Sequence, residues 1–202
     1  MKYKIIYADP PWSYDNKGTR AKVEDHYKSM TLEDICSIPI NDISEENSVL
    51  FLWVTFPFLQ CCFKVIESWG FEYKTCAFNW VKLNKKNNIN ESQFTFEYSE
   101  ENIKLNDFMG MGNWTRANSE LCLLGTKGKI KRKANNIRQV IYDPITKHSE
   151  KPQEARNRIV ELMGDVSRIE IFARKKIEGW DSIGFGVDGK DINESIKNIM
   201  GQ

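Results

Sequence analysis

A stretch near the start of the chain, residues 3–12, has the pattern of a buried strand that stops abruptly at a carboxylate. Its apolar run, residues 5–8, is typical of a strand buried on both faces of a parallel sheet. Asp9 follows at the carboxyl end, and the two prolines after it cannot continue a hydrogen-bonded ladder. Ligands of open α/β sheets bind outside that edge. Asp-Pro also starts ordinary turns, but a turn has no need of Trp12. The sequence therefore predicts an α/β fold with a functional site at Asp9.

The string Asp9-Pro10-Pro11-Trp12 suits attack by a weakly nucleophilic amine that is carried on an aromatic ring, such as the 6-amino group of adenine. The Asp9 carboxylate and the Pro10 carbonyl are acceptors that can take both amine hydrogens. Trp12 offers a flat face on which an unstacked base can lie. Acceptors placed where positive charge develops on the nitrogen stabilise the transition state. The electrophile that these residues predict is the methyl group of a sulfonium.

The composition fits one folded unit. With 202 residues, of which 41% are apolar, the chain is long enough to bury one sizeable core. We expect a single domain over residues 1–190. Residues 191–202 form a C-terminal tail whose isoleucines recur at helical spacing. The formal net charge of +1 carries no global sign of nucleic-acid binding, so any electrostatic footprint must be local.

Cysteine and histidine usage predicts a cytoplasmic protein without a metal site. The five cysteines lie mostly in apolar surroundings, and we interpret them as reduced core residues. None has metal-ligand spacing, and the two histidines are far apart in sequence. The longest apolar run, residues 49–59, is too short to span a bilayer, so we expect no membrane association.

Apolar periodicity predicts the other elements of the domain. Further strands are predicted at residues 48–55, 71–83, 121–126, 140–142 and 168–173. Helices are predicted from Thr31 to before Pro39, from Phe58 to Trp69, and from Pro152 to Gly164. Two polar stretches separate these elements, at residues 13–30 and 84–107. The first has the length of a functional lid, and the second fits either a surface loop or a loop that contacts substrate.

Two further segments are candidates for contact with nucleic acid. Residues 110–116 combine glycines, which permit close backbone approach, with Trp114 and Arg116, which are good partners for bases and phosphates. Residues 127–133 contain five cations. A solvated hairpin tip explains that run as well as phosphate contact does.

The predicted helix at Pro152 is preceded by Ser149 and Lys151. A helix start with a serine and a lysine beside it is a natural binding site for a carboxylate. An ordinary capped helix explains the same residues equally well, and both interpretations stay open.

Eight short motifs follow one another along the chain: Asp9-Pro10-Pro11-Trp12, Phe51-Leu52-Trp53-Val54, Trp69-Gly70-Phe71, Trp80-Val81-Lys82, Gly112-Asn113-Trp114, Glu120-Leu121-Cys122-Leu123-Leu124-Gly125, His148-Ser149-Glu150-Lys151-Pro152 and Ile169-Glu170-Ile171-Phe172-Ala173-Arg174. In this order they resemble the MT-A70 family of adenine N6-methyltransferases, and the resemblance spans the chain up to Gly184.

The resemblance implies a Rossmann-like class I methyltransferase sheet, mostly parallel with an antiparallel edge strand. It also implies helices on both faces, a permuted motif order, and S-adenosyl-L-methionine as the methyl donor. By position, Asp9, Pro10 and Trp12 would hold the target adenine, and the candidate catalytic residues are Asp9, Pro10, Pro11 and Trp12. The implied cofactor contacts are Asp9, Ser149, Lys151, Phe172, Arg174, Gly184 and Gly186. The candidate substrate contacts are Tyr14, Tyr27, Asn113, Trp114, Arg116, Lys129, Lys131 and Arg132.

One departure from the family pattern concerns the cofactor. Where the family usually has Gly-Asn-Glu or Gly-Asn-Gln, with polar side chains for the ribose and adenine, this chain has Gly184-Phe185-Gly186. The resemblance still predicts methyl transfer to the N6 amine of adenine in a polynucleotide, with DNA favoured over RNA. The alternatives are a noncatalytic nucleic-acid-binding or scaffolding subunit and, less favoured, methylation of a protein amide. The sequence leaves a homodimer or a partner subunit open.

Overall fold

The apolar run at residues 5–8 lies inside a seven-stranded sheet, and Ile5, Ile6 and Ala8 are fully buried. The computed structural model describes residues 1–13, 29–84, 108–110, 114–146 and 150–201. Its strands are β1 (Tyr3–Ala8), β2 (Ser44–Val54), β3 (Glu72–Leu83), β4 (Ser119–Lys127), β5 (Val140–Pro144), β6 (Arg168–Ile171) and β7 (Asp181–Ile183). Each strand that the sequence predicts is therefore present.

The strands are ordered β5-β3-β4-β2-β1-β6-β7 across the sheet. β4 is antiparallel to both of its neighbours, and every other pair is parallel. The mostly parallel α/β fold is confirmed, but the antiparallel strand lies inside the sheet and not at its edge, because β4 pairs with β2 on one side and with β3 on the other. The strand that follows β1 in the chain, β2, lies on one side of β1, and the strand that follows β6, β7, lies on the opposite side of β6. Strand order therefore reverses between β1 and β6, where ligands of such sheets bind.

Helices cover both faces of the sheet, as predicted. They are α1 (Leu32–Ser37), α2 (Ile40–Ile43), α3 (Leu59–Ser68), α4 (Gln153–Met163), α5 (Phe185–Asp188) and α6 (Ile192–Met200). On one face, α1, α3 and α6 bury Ile35, Ile66 and Ile196. On the other face, α4 buries Ala155 and Ile159. None of the helices in the described ranges has the length and apolar character needed to cross a membrane.

Local sequence signals set several helix boundaries. Thr31 Oγ1 accepts a hydrogen bond from the Asp34 backbone N–H at 3.1 Å, which is the predicted cap of α1. Gly70 follows α3 with φ of +82°, a conformation that favours glycine. Pro152 is the N-cap of α4 and not its first helical residue. The short elements α2, α5 and β7 were not predicted, because three or four residues are too few to show a period.

A buried ion pair joins α4 to β6. Arg156 donates to both oxygens of Glu170, from Nε at 2.7 Å and from Nη2 at 2.6 Å. The Arg156 guanidinium also lies 5.2 Å from the centroid of the Tyr7 ring, and its Nη1 donates to the Lys151 carbonyl at 3.4 Å. Neither side chain of the pair is more than 10% exposed. The pair therefore fixes the start of α4, with Lys151, against β1 and β6.

Arg156→Met is expected to lower the free energy of unfolding by about 3–5 kcal/mol, because the Glu170 carboxylate stays buried without its partner. The double variant Arg156→Met/Glu170→Gln should lose less, because it leaves no unpaired charge. Urea unfolding followed by circular dichroism measures both losses. A double variant that is less stable than Arg156→Met would contradict this account of the pair.

Candidate active site

Four charged side chains of alternating sign meet at the edge of the sheet formed by the carboxyl ends of its parallel strands. Asp9 follows β1, Lys82 is on β3, Glu120 is on β4, and Lys151 precedes α4. Lys151 Nζ donates to Asp9 Oδ2 at 2.7 Å and lies 3.2 Å from Glu120 Oε2. Lys82 Nζ donates to the other oxygen of Glu120. The Lys151 side chain is only 6% exposed, so its charge is stabilised by the two carboxylates and not by water. We call these four residues the charge chain.

The direction of β4 brings Glu120 into the charge chain. Parallel strands end at one common edge, and Asp9 and Lys82 lie at or beyond the carboxyl ends of their strands. Because β4 runs the other way, its first residues reach that same edge, and Glu120 pairs with Trp80 across the β3–β4 ladder. The ladder thus places a carboxylate from the start of one strand beside charges from the ends of two others.

The charge chain shifts the pKa of its buried members. Burial raises the pKa of Asp9 above its usual range, and the neighbouring Lys151 only partly offsets this effect. Burial would also raise the pKa of Glu120, but Lys151 and Lys82 together outweigh it and hold that pKa low. Burial would lower the pKa of Lys151, yet Asp9 and Glu120 raise it above the usual range. Lys151 therefore remains a cation between two acidic side chains.

Trp12 is held in place after the two prolines. Its Nε1 donates to the Trp53 carbonyl at 3.3 Å, and its ring stacks on Phe58 with centroids 5.6 Å apart and planes 16° apart. The Trp12 backbone N–H donates to the Pro10 carbonyl at 2.9 Å. This turn uses one lone pair of that carbonyl and leaves the second as an acceptor. Phe58 covers one face of Trp12, so a stacked base would have to use the other face.

The end of β6 lies beside Asp9, because β6 pairs with β1. Phe172 follows β6 with φ of 63°, a conformation that is rare for a residue with a large side chain. Phe172 and Arg174 line a crevice, which we call the Asp9 crevice. The other residues that line it are Asp9, Glu150, Lys151, Arg156, Glu170 and Lys175. The positive charge of Arg174 also acts to lower the pKa of Asp9.

Gly184 and Gly186 pack directly on the backbone that follows β6. A Cβ at Gly184 would lie 2.7 Å from the Ala173 carbonyl oxygen, and one at Gly186 would lie 2.7 Å from the Arg174 carbonyl oxygen. Both glycines therefore have a packing role that sequence reasoning did not identify. Their predicted contact with a cofactor remains a prediction.

The basic run at residues 127–133 does not join the site. Ser48, near the start of the apolar part of β2, pairs with Lys127 at the end of β4. Lys129, Lys131 and Arg132 follow Lys127 and are exposed at the opposite edge of the sheet from Asp9. Trp114 and Arg116, by contrast, are exposed in the segment that enters β4, on the Asp9 side. Four predicted contacts, Tyr14, Tyr27, Asn113 and Ser149, lie outside the described residues.

Sequence reasoning missed three residues of the site. Lys82 and Glu120 belong to motifs that carry the resemblance, but nothing in the sequence indicated that their charges meet. They meet because the β3–β4 register places the end of β3 beside the start of β4. Phe58 was predicted only as the first residue of a helix, whereas it lies in the 3₁₀ turn before α3 and stacks on Trp12. In the part of the chain that the structure describes, no group of three or more His, Cys, Asp or Glu side chains could hold a metal ion.

Several known proteins are similar to this chain over nearly its whole length. The type II methyltransferase M.MunI of Mycoplasma sp is 29% identical over 211 residues, which cover 95% of this chain and 80% of that protein. The MT-A70-like N(6)-adenosine-methyltransferase of Arabidopsis thaliana is 25% identical over 198 residues, covering 96% of this chain but 25% of that protein. The human N(6)-adenosine-methyltransferase catalytic subunit METTL3 is 26% identical over 191 residues, covering 93% of this chain and 29% of that protein.

The chain thus spans most of one bacterial relative and between a quarter and a third of the two eukaryotic ones. The family profile named MT-A70 matches residues 3–186, which include the whole charge chain and both sides of the Asp9 crevice. The resemblance seen in the motifs is therefore confirmed, and the chain belongs to the MT-A70 family.

Proposed function

We propose that the protein transfers a methyl group from S-adenosyl-L-methionine to the N6 amine of adenine in DNA. The observation that carries this proposal is the hydrogen bond from the buried Lys151 to Asp9, at the point where strand order reverses, in a chain of the MT-A70 family. We favour DNA because the relatives named for adenosine, the ribonucleoside, match this chain along only 25% and 29% of their length, whereas a type II methyltransferase matches along 80%.

The Asp9 crevice has the chemical groups that the cofactor needs. Its amino acid end carries an ammonium and a carboxylate, for which Asp9 supplies an acceptor and Lys151 a donor. Lys151 has three N–H groups and directs two towards Asp9 and Glu120, which leaves one for a carboxylate. When bound there, S-adenosyl-L-methionine would supply an electrophilic methyl group on its sulfonium. The residues of the crevice therefore fit this cofactor.

Asp9 and Trp12 would hold the target base. Lys151 binds Asp9 Oδ2, so we assign Oδ1 to one hydrogen of the amine and the Pro10 carbonyl to the other. The face of Trp12 that Phe58 does not cover would carry the adenine ring, a contact worth roughly 1–3 kcal/mol. In a duplex, the base must first leave the helix, at a cost of a few kcal/mol. No base has to remove a proton before attack, because the methylated nitrogen is acidic and loses its proton afterwards.

Asp9→Ala is expected to lower the rate of methyl transfer by at least about 100-fold, because it removes an acceptor aimed at charge that develops in the transition state. The measurement uses tritiated S-adenosyl-L-methionine with matched DNA and RNA strands, followed by digestion to nucleosides and identification of N6-methyladenine. Asp165→Ala is the control, because the Asp165 side chain is 89% exposed and lies before the start of β6. A wild-type rate for Asp9→Ala would sink the assignment.

The same assay tests the substrate. Methylation of RNA but not DNA would overturn our choice of polynucleotide. If no methyl transfer occurs and titration calorimetry with S-adenosyl-L-methionine gives no heat, the protein is a noncatalytic subunit instead.

The pH dependence of the rate should follow the ionisation of Asp9. The Asp9 carboxylate accepts amine hydrogens only when it is ionised, and burial raises its pKa. The rate of methyl transfer should therefore decrease as the pH falls through the pKa of Asp9. Lys151→Gln removes the neighbouring cation, which raises the pKa of Asp9 further and shifts the acid limb to higher pH. Glu120→Gln removes a neighbouring anion, which lowers that pKa and shifts the acid limb to lower pH.

These opposite shifts are measured as rate against pH, at saturating cofactor and DNA. Lys176→Gln is the control for loss of a positive charge, because Lys176 is exposed and outside the crevice. Its acid limb should coincide with that of the wild type. If Lys151→Gln and Glu120→Gln shift the limb in the same direction, Asp9 is not the group that titrates.

A further inference from the structure

A strongly basic surface lies at the end of the sheet opposite Asp9. Residues 128–139, which connect β4 to β5 and which we call the basic segment, contain five cations and no carboxylate. The cations are Lys129, Lys131, Arg132, Lys133 and Arg138, and all five are exposed. Because the formal net charge of the whole chain is +1, the remaining residues together carry −4. The basic segment is therefore a local positive surface on an otherwise slightly acidic chain.

The basic segment is not the tip of a hairpin. β3 lies between β4 and β5 in the sheet, so the segment has to pass β3 to reach β5. Its backbone is fixed on the way. The Lys129 N–H donates to Asn47 Oδ1 at 2.6 Å, and the Lys133 N–H donates to the carbonyl of Leu162, near the end of α4, at 2.7 Å. The hairpin tip that could explain this run from the sequence is therefore excluded.

Apolar packing decides which side chains the basic segment offers to a partner. Ile130 and Ile137 pack against the core under α4. The segment thus presents cations, together with the exposed amides of Asn135 and Asn136, but no large apolar side chain that is free to insert into a bilayer. Segments that lie on membranes bury apolar residues between the lipids, whereas Lys, Arg and Asn side chains are typical phosphate contacts of DNA-binding proteins. The composition of this surface therefore favours a polynucleotide backbone.

The cations of the basic segment are not neutralised by carboxylates in the part of the chain that the structure describes. None of the five forms an ion pair there, whereas eight cations elsewhere do: Lys74, Lys82, Lys151, Arg156, Arg158, Arg168, Lys175 and Lys190. Lys131 and Arg132 are adjacent, and like charges closer than the Debye length, about 8 Å at physiological salt, repel one another. A bound polyanion would remove this repulsion.

The length of β4 separates the basic segment from the target base. Lys127, just before the segment, and Glu120 of the charge chain are at opposite ends of this strand. Their separation along β4 is about 23 Å at the rise of a strand, the length of about seven base pairs of DNA. The segment therefore lies too far away to touch the adenine at Asp9, but it can reach phosphates farther along the same polynucleotide.

We propose that the basic segment binds the phosphate backbone of DNA outside the target site, as a second contact that does not read sequence. This inference rests on the proposed function for the identity of the polyanion. Lysines and arginines that neutralise phosphates release counterions, which supplies the free energy of binding. Because both contacts belong to one folded domain, binding at either one raises the local concentration of DNA at the other. The segment thus raises the affinity of the protein for long DNA.

The test measures the affinity of the wild type and of Lys129→Gln/Lys131→Gln for a fluorescein-labelled DNA duplex by fluorescence anisotropy. The duplex has about 20 base pairs, so it is longer than β4, and the NaCl concentration is varied between about 50 and 200 mM. The double variant should bind more weakly than the wild type. Its slope of log affinity against log salt should be shallower by about 2, because two phosphate contacts and their counterions are lost.

Lys64→Gln/Lys197→Gln is the matched control. It removes the same charge from α3 and α6, where both lysines are exposed on the face of the sheet opposite α4. Its salt slope should equal that of the wild type. Circular dichroism checks that both double variants keep the fold.

An unchanged salt slope for Lys129→Gln/Lys131→Gln would overturn the inference, and so would an equal change of slope in the control. Loss of binding to phosphatidylserine vesicles with an unchanged DNA slope would also overturn it, because the segment would then be a membrane contact. Binding needs no turnover, so the proposed function is judged separately. An unchanged slope in a protein that forms N6-methyladenine in DNA rejects this inference alone. A shallower slope without methyl transfer keeps the DNA contact and rejects the proposed activity.

Discussion

The buried ammonium of Lys151 is the interaction on which the site depends. Withdrawing a lysine from water is unfavourable unless its charge is compensated. Here carboxylate oxygens of Asp9 and Glu120 lie 2.7 and 3.2 Å from Lys151 Nζ. Those carboxylates come from β1 and β4, and α4 holds the lysine between them. The Arg156–Glu170 pair then anchors α4 to β6. Lys151 and Arg156 together thus link Asp9, which follows β1, to the strand that lines the other side of the crevice.

This arrangement explains how Asp9 can ionise although it is partly withdrawn from water. The desolvation of its carboxylate favours the neutral acid, whereas Lys151 and Arg174 favour the anion. Glu120 opposes them, yet it also keeps Lys151 charged. The balance is set by three elements that meet only in the folded protein, so the reactivity of Asp9 is a property of the assembled sheet and not of the four-residue motif.

The sequence was enough to place β1 and Asp9, and the start of α4 to within one residue, because an apolar run that stops at prolines and a proline before a helical pattern are local signals. It could not place Glu120 and Lys82, whose partnership depends on the register between β3 and β4. The pairing of β4 also explains why Lys129, Lys131 and Arg132 lie far from Asp9. A basic run beside a predicted strand could lie at either edge of the sheet, and only the antiparallel direction of β4 assigns it to the edge opposite Asp9. The left-handed backbone of Phe172 and the helix α5 could not be predicted for another reason, because a single left-handed residue and a four-residue helix leave no periodic pattern in the sequence.

The pairing of β1 with β6 has a consequence for how the chain folds. Lys4 and Ser167 are 163 positions apart, yet they are hydrogen-bonded where these two strands meet. During synthesis from the amino terminus, the edge of β1 that pairs with β6 stays unpaired until residues 168–171 have been made. Contacts between such distant segments slow folding, since the entropy of closing the loop is lost before they form. Newly made chains therefore expose an unpaired edge of the central strand β1 until late in translation. Binding of chaperones to the chain would be most useful in that period.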